Sequence, residues 1–223
     1  MLGIIGGTSL LYADLPDLEK TTIATPFGPA EVHLGDVAFI DRHQFNRPPH
    51  RINYRACIGA LAIQGVDRIV AFCSVGSLKK EIVPGSMVLP HDYFSPVTFP
   101  TIHENTIGHV MPGIDQDLTN MLSKIIPDAI PGGVYVQVKG PRFETPSEIR
   151  AFAGYGDLIG MTMASEATVA NELEIPFAAV CTVDNYGNGI ADDQLSYEFI
   201  LEKARKNKEK VENMLGDVIR ELS

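Results

Sequence analysis

Five short stretches carry polar side chains where an apolar run gives out. The chain opens MLGIIGGTSLL, in which Ile4 and Ile5 form a buried run, Gly6 and Gly7 permit a sharp turn and close approach to a ligand, and Thr8 and Ser9 add hydroxyls. That combination suits an oxyanion. Its spacing matches neither G-x-G-x-x-G nor a Gly-Lys-Ser/Thr ending, so neither a dinucleotide nor a triphosphate is implied. Taken alone, the stretch is better explained as a tight strand-to-loop turn with no ligand. In IDRHQFNRPPHRINYR, Arg42 and His43 follow an apolar run at the end where open α/β sheets place ligands. A cationic pair there can hold phosphate, whereas Arg47, His50, Arg51 and Arg55 read as a solvated loop. IVAFCSVGSL ends in Ser74-Val75-Gly76-Ser77, small residues whose free amides suit an anion nest. LIGMTMASEATVANEL puts Thr162 at a strand end and Glu166 in the first turn of the next helix, where a lone glutamate often only compensates the dipole. AAVCTVDNYGNG closes on Asp184 and Asn185, by themselves an ordinary Asx turn. The convergence of five such ends points to one site.

The elements that must carry these ends alternate. Strands are expected at Leu2–Ile5, Val37–Ile40, Arg68–Cys73, Met87–Pro90, Gly133–Lys139, Leu158–Met161 and Phe177–Val183, most of them β-branched and apolar on both faces. Helical patterns lie at Asn53–Gln64, Asp115–Lys124, Pro146–Ala153 and Ser165–Leu173. A long Lys/Glu-rich amphipathic pattern runs from about Gln194 to the end. Thr145-Pro146-Ser147-Glu148 is a capping-box helix start. The expected fold class is α/β, a single domain over residues 1–223 with a mixed central β-sheet flanked by helices. The irregular stretch His91–Gly113 reads as a long loop or protruding hairpin. Its Phe94, Val97, Phe99, Ile102 and Ile107, without helical or alternating period, suggest burial against another subunit.

Bulk properties agree. A length of 223 residues suits one well-buried core. No leader-like or membrane-spanning run is seen, so a cytoplasmic protein with no membrane partner is expected. Cys57, Cys73 and Cys181 sit in apolar segments without C-x-x-C spacing and read as reduced core residues, with no metal site. A formal charge of −10 argues against a nucleic-acid partner.

The stretches GIIGGTSL, DRHQFNRPPHRINYRA, CSVGSLKKEIVPGSMVLP, KGPRFETPSEIRAF, GDLIGMTMASEATVANEL and VDNYGNG, in that order, resemble the purine nucleoside phosphorylase and 5′-methylthioadenosine phosphorylase family nearly end to end. The resemblance implies a nucleoside phosphorylase-like fold and a homotrimer, or a hexamer as a dimer of trimers. It also implies no cofactor other than inorganic phosphate as co-substrate. The reaction it implies is phosphorolysis of the bond between purine N9 and ribose C1′, through an oxocarbenium-like sugar flanked by a departing purine anion and an incoming phosphate.

By the same resemblance, Thr8, Arg42, His43, the Ser74 amide and Thr162 hold phosphate. Phe143 stacks the purine, Glu166 accepts from N1–H, and Asn185 bonds O6 and N7, so that Asn185, Glu166 and His43 form the catalytic set. Met161 lines the ribose, Tyr197, Ile200 and Leu201 border its 5′ end, and His109 reaches in from a neighbouring subunit. Adenine-specific members carry aspartate at the Asn185 position and a second aspartate where this chain has Gly187. A 6-oxopurine such as inosine, guanosine or 5′-methylthioinosine is therefore expected. The alternatives are an adenine-specific 5′-methylthioadenosine phosphorylase, should Asp184 face the base, and a non-catalytic purine-binding α/β module. Cys73, where a hydroxyl residue is usual, and Ser165, where proline is usual, depart from the pattern. Arg42 is expected to serve phosphate rather than stability, so that Arg42→Ala leaves the melting temperature nearly unchanged.

Overall fold

The computed structural model describes residues 1–13, 18–191 and 197–223, apart from the side chains of residues 197, 199, 203 and 204. Along the chain run β1 (Leu2–Gly6), β2 (Glu19–Thr25), β3 (Gly28–Leu34), β4 (Ala38–Asp41), α1 (Tyr54–Ile63), β5 (Arg68–Ser77), β6 (Met87–Leu89) and β7 (Asp92–Phe94). There follow α2 (Gln116–Ile125), β8 (Ile130–Pro131), β9 (Val134–Gln137), α3 (Pro146–Phe152), β10 (Leu158–Gly160), α4 (Met163–Glu172), β11 (Phe177–Tyr186), α5 (Tyr197–Lys206) and α6 (Lys208–Leu222).

The strands make one mixed sheet with helices on both faces, and the alternation of side chains along each strand feeds two cores. Ile5, Ile69 and Ala71 join Ile58 and Leu61 of α1 and Val169 of α4 on one face. Leu2, Ile4, Val70 and Phe72 join Leu118 and Leu122 of α2 and Val211 and Val218 of α6 on the other. Strands buried between two layers must be apolar at every position, which is why these runs show no polar alternation.

β5 is the axis of the sheet. β11 runs parallel to it from Ile69 through Ser77 along one edge. The other edge is shared: β1 pairs in parallel with Arg68–Ala71, and β10 pairs antiparallel with Gly76 and Ser77. Among the described residues, Phe72, Cys73, Ser74 and Val75 therefore have no strand beside them on that edge. The split between β1 and β10 leaves a notch in the middle of the sheet, lined by backbone that needs other partners.

Several expected elements differ in detail. The β2–β3 hairpin goes unforeseen, because Glu19–Thr25 is a half-exposed strand with the weakly patterned sequence EKTTIAT. Its turn closes through the Thr25 hydroxyl, which donates to the Gly28 carbonyl at 2.6 Å while accepting from the Phe27 amide at 3.1 Å. The C-terminal amphipathic pattern is two helices, broken at Asn207. The segment 91–113 contributes β7 and is then tied back rather than protruding as a hairpin. Thr101 and the Ile102 amide both donate to Glu172, each at 2.7 Å, and the Gly113 amide donates to Asn171 at 2.9 Å. Between these ties Ile107 and Met111 stand 94% and 87% exposed.

Candidate active site

Above the notch lies a cavity of about 570 Å³. Its walls include Gly7, Thr8, Arg42, His43, Ser74, Phe143, Met161, Thr162, Asn185 and Ile200, so ten positions from seven separate segments meet in one space. Of the sequence-derived site residues, Glu166 and Leu201 do not line it. His109 lies on the exposed 107–111 tip and is not among the lining residues of its own chain. The Tyr197 side chain falls outside the described residues. Glu144, Arg47 and Leu11 line the cavity without having been foreseen as doing so, and Asp184, weighed above as the alternative residue facing the base, lines it beside Asn185.

Arg42 leaves the end of β4 and lies in the notch, where its backbone amide donates to the Gly6 carbonyl at 2.9 Å. Its side chain is buried at 3% exposure. Nε donates to Glu166 Oε1 at 2.7 Å and Nη2 to Oε2 at 3.2 Å. Nη1 donates to the orphaned Phe72 carbonyl at 2.9 Å, and Nη2 also reaches Cys73 Sγ at 3.6 Å. Burial opposes the charge on Arg42, but Glu166, with Cys73 and Tyr135 adding to it, holds the guanidinium above its ordinary value. Glu166, itself 1% exposed, spends both carboxylate oxygens on this fork. Two expectations change accordingly. Glu166 faces Arg42 rather than the cavity, and Arg42 belongs to a buried ion pair whose disruption strands a carboxylate in the core. Gly7 explains itself here: a Cβ at that position would come within 2.7 Å of Arg42 Nη1.

The departures from the family pattern have local partners. Ser165, in place of proline, is buried and accepts from Gln137 Nε2 at 2.6 Å, while its amide donates to Gln137 Oε1 at 3.1 Å. Cys73 supplies the sulfur that accepts from Arg42. Thr162 is set at the start of α4 by Tyr135 of β9, whose hydroxyl accepts from the Thr162 and Met163 amides at 3.1 and 3.3 Å. His43, beside Arg42, has Nδ1 against the Arg47 carbonyl at 2.9 Å, and burial lowers it below the usual histidine range.

A different construction holds Phe143 and Glu144. They sit in the loop before α3, where Gly140 at φ +62 lets the chain pass so close to Met161 that a Cβ would lie 2.5 Å from its sulfur. The α3 capping box anchors the far side. Thr145 accepts from the Glu148 amide at 3.2 Å, Glu148 accepts from the Thr145 amide at 2.7 Å, and Arg142 clamps Glu148 at 2.7 and 2.8 Å. Asn188 donates to the Glu144 carbonyl at 2.7 Å. Glu144 is 8% exposed and lines the cavity, and burial lifts its carboxyl above the usual carboxylate range.

At the end of β11 the register slips between Val183 and Asn185, so Asp184 is a bulge residue. Asp184 and Asn185 then both line the cavity, where strict alternation would admit one. Asp184 accepts from the Ser74 hydroxyl. Asn185 lies over Gly76, where a Cβ would meet its Nδ2 at 3.1 Å, and donates to the Tyr186 carbonyl at 2.7 Å. Because β5 passes Arg42 at Cys73 and Asn185 at Gly76, its rise of about 3.3 Å per residue separates the two by roughly 10 Å.

The phosphorylase superfamily model matches residues 1–220. The chain belongs to that superfamily. Over 100% of its length it is 40% identical to a probable 6-oxopurine nucleoside phosphorylase of Archaeoglobus fulgidus, 97% of which is covered. It is 38% identical, again over 100% of its length and 84% of the relative, to a probable S-methyl-5′-thioinosine phosphorylase of Methanothermobacter thermautotrophicus. Its fold matches a methylthioadenosine phosphorylase from an Antarctic soil metagenomic library at a TM-score of 0.85 and 26% identity, covering 98% of this chain and 85% of that one. A phosphorylase must bring an acceptor anion and a leaving group to one sugar. The notch with Arg42 and the loop with Phe143 and Glu144 open onto the same cavity.

Proposed function

We propose that this enzyme cleaves the N-glycosidic bond of 6-oxopurine nucleosides with inorganic phosphate, releasing the base and ribose 1-phosphate or its 5-methylthio counterpart. In this reading phosphate sits against Thr8, Arg42, His43, the Ser74 amide and Thr162. Phe143 stacks the purine, Met161 lines the ribose, and Glu144, not Glu166, accepts from N1–H. Asn185 donates to O6 or N7 as negative charge builds on the departing base. The observation that carries the reading is the pairing of Glu144 with Asn185 in one cavity wall. A 6-oxopurine presents a donor at N1 and an acceptor at O6, which a carboxylate and an amide match together. Adenine presents the reverse pattern and would leave Glu144 buried against an acceptor. The relatives named for 6-oxopurine and methylthioinosine substrates support the same choice.

Ile200 and Leu11 offer apolar wall beside the cavity mouth, in keeping with a methylthio group at the 5′ position. We further propose a cytoplasmic homotrimer, with the exposed tip bearing His109 covering a neighbour's cavity. A second reading, adenine-specific cleavage of 5′-methylthioadenosine, is favoured by the presence of the Asp184 carboxylate in the cavity wall. The test is base release from inosine, guanosine, 5′-methylthioinosine, adenosine and 5′-methylthioadenosine, each with and without phosphate. Strict phosphate dependence with the 6-oxopurines at least tenfold ahead is expected. Equal turnover of 5′-methylthioadenosine selects the second reading, and binding without turnover removes both.

A further inference from the structure

Arg42 approaches the cavity with most of its hydrogen-bonding capacity already committed. A guanidinium has five N–H donors. Nε takes one Glu166 oxygen, Nη2 takes the other together with Cys73 Sγ, and Nη1 takes the Phe72 carbonyl. Among the described residues one Nη1 donor remains, on the nitrogen packed against Gly7 and hence beside the turn that carries Thr8. From the cavity, the buried pair acts as an oriented dipole whose positive end carries a single aimed N–H. Glu166 is far too buried to meet a ligand, and its two oxygens fix both the plane and the rotation of the fork.

We infer that Glu166 is a positioning residue for phosphate, acting through Arg42: it holds the guanidinium in the notch so that its one uncommitted Nη1 donor meets the anion beside Thr8. This rests on the phosphorolytic reading above. The geometry makes a specific demand, because a carboxamide in place of the carboxylate would set an NH2 group against a guanidinium N–H. The fork would lose one arm and turn about the other. The disturbance would fall on the phosphate half of the reaction, since the residues assigned to the base lie on β11 and in the loop before α3.

The experiment is steady-state kinetics of Glu166→Gln and Glu166→Asp with inosine as substrate, varying inorganic phosphate and nucleoside in turn, together with the melting temperature as a function of added phosphate. The expected result for Glu166→Gln is a tenfold or greater rise in KM for phosphate, a nucleoside KM within twofold of wild type, and loss of thermal stabilisation by phosphate. Glu166→Asp keeps the charge and both acceptors one methylene further back, and should restore part of the phosphate affinity. A rise confined to the nucleoside KM would return Glu166 to the base and overturn the inference, as would unchanged phosphate constants in a folded variant. Should neither variant fold, crystals of the wild-type enzyme with inorganic phosphate decide. Arg42 must touch phosphate while both bonds to Glu166 persist, and a guanidinium that abandons Glu166 for the anion refutes the assignment. Absence of phosphate-dependent turnover in the wild type would instead reject the underlying function.

Discussion

The two halves of the cavity are built on opposite principles. Around Arg42 the polar groups are committed to one another in the dry middle of the sheet, where Glu166, the Phe72 carbonyl and Cys73 surround the guanidinium. Around Glu144 the carboxylate forms no ion pair among the described residues and owes its position to a loop held by its neighbours' bonds. The first half gains rigidity from satisfied partners, and the second tolerates a buried carboxylate whose desolvation its surroundings only partly offset. A group that must accept from a ligand needs its lone pairs available, and the cost is a raised carboxyl. Every phosphorolysis uses the same anion, whereas the base differs between substrates. Under the proposed function the fixed half serves the invariant partner and the loop-borne half the variable one.

The contrast breaks most visibly in stability. Arg42→Ala should cost about 3–5 kcal/mol, because it leaves Glu166 buried without its counter-ion. Glu144→Ala should leave stability near wild type or slightly raise it, and denaturant titration of both variants at neutral pH checks the pair. A melting temperature for Arg42→Ala close to wild type would mean the ion pair contributes nothing.

Activity should invert the ranking at the other half. Glu144→Gln is expected to lower kcat/KM for inosine by about 100-fold, the scale of losing one aimed polar partner, with the phosphate KM little changed. Asn185→Asp should narrow the preference for inosine over adenosine by offering the 6-amino group an acceptor, measured as the ratio of kcat/KM values.

A smaller effect separates the halves by pH. Glu144 must be ionised to accept from N1–H, and burial lifts its carboxyl above the usual range, so the nucleoside KM should climb on acidification at a pH above that of an ordinary glutamate. The sign for stability is the reverse: a folded-state value above the unfolded one means that protonating Glu144 favours the native state as pH falls through it. The acid limb of the nucleoside KM should disappear in Glu144→Gln.

The smallest change sits at the loop's anchor. Thr145→Ala removes the cap of α3 and should destabilise by about 1 kcal/mol, with a modest loss of nucleoside affinity as Glu144 loosens.

The legible and illegible parts of the sequence divide along the same physical line. Strands expected at Arg68–Cys73 and Phe177–Val183, which in the structure run on to Ser77 and Tyr186, announced themselves because burial on two faces forces unbroken apolar runs. Their C-terminal ends then located Arg42, Ser74, Thr162 and Asn185. Glu166 was placed near the site but given the wrong neighbour, since nothing in its helical position shows that Arg42 lies across from it 124 residues away. Glu144 was hidden for a simpler reason: it stands next to a capping box, and its loop offers no periodicity that would say which side chain turns inward. One signal was available, a glutamate directly after the stacking candidate Phe143 in GPRFETP. The hairpin of β2 and β3 escaped because a half-exposed strand rich in threonine and lysine resembles a surface loop.

The bulge in β11 has a consequence for how such an enzyme changes its diet. A regular strand offers a cavity every second residue, and the intervening ones belong to the core, so altering recognition there disturbs packing. By slipping the register at Asp184, the strand presents two consecutive residues to the same cavity while leaving the pairing on either side intact. Selection can then act on one letter while the other stays in place, and an acidic residue already waits beside the amide. A descendant that must accept an amino-bearing purine need not rebuild the sheet, because the second position gives it room to try.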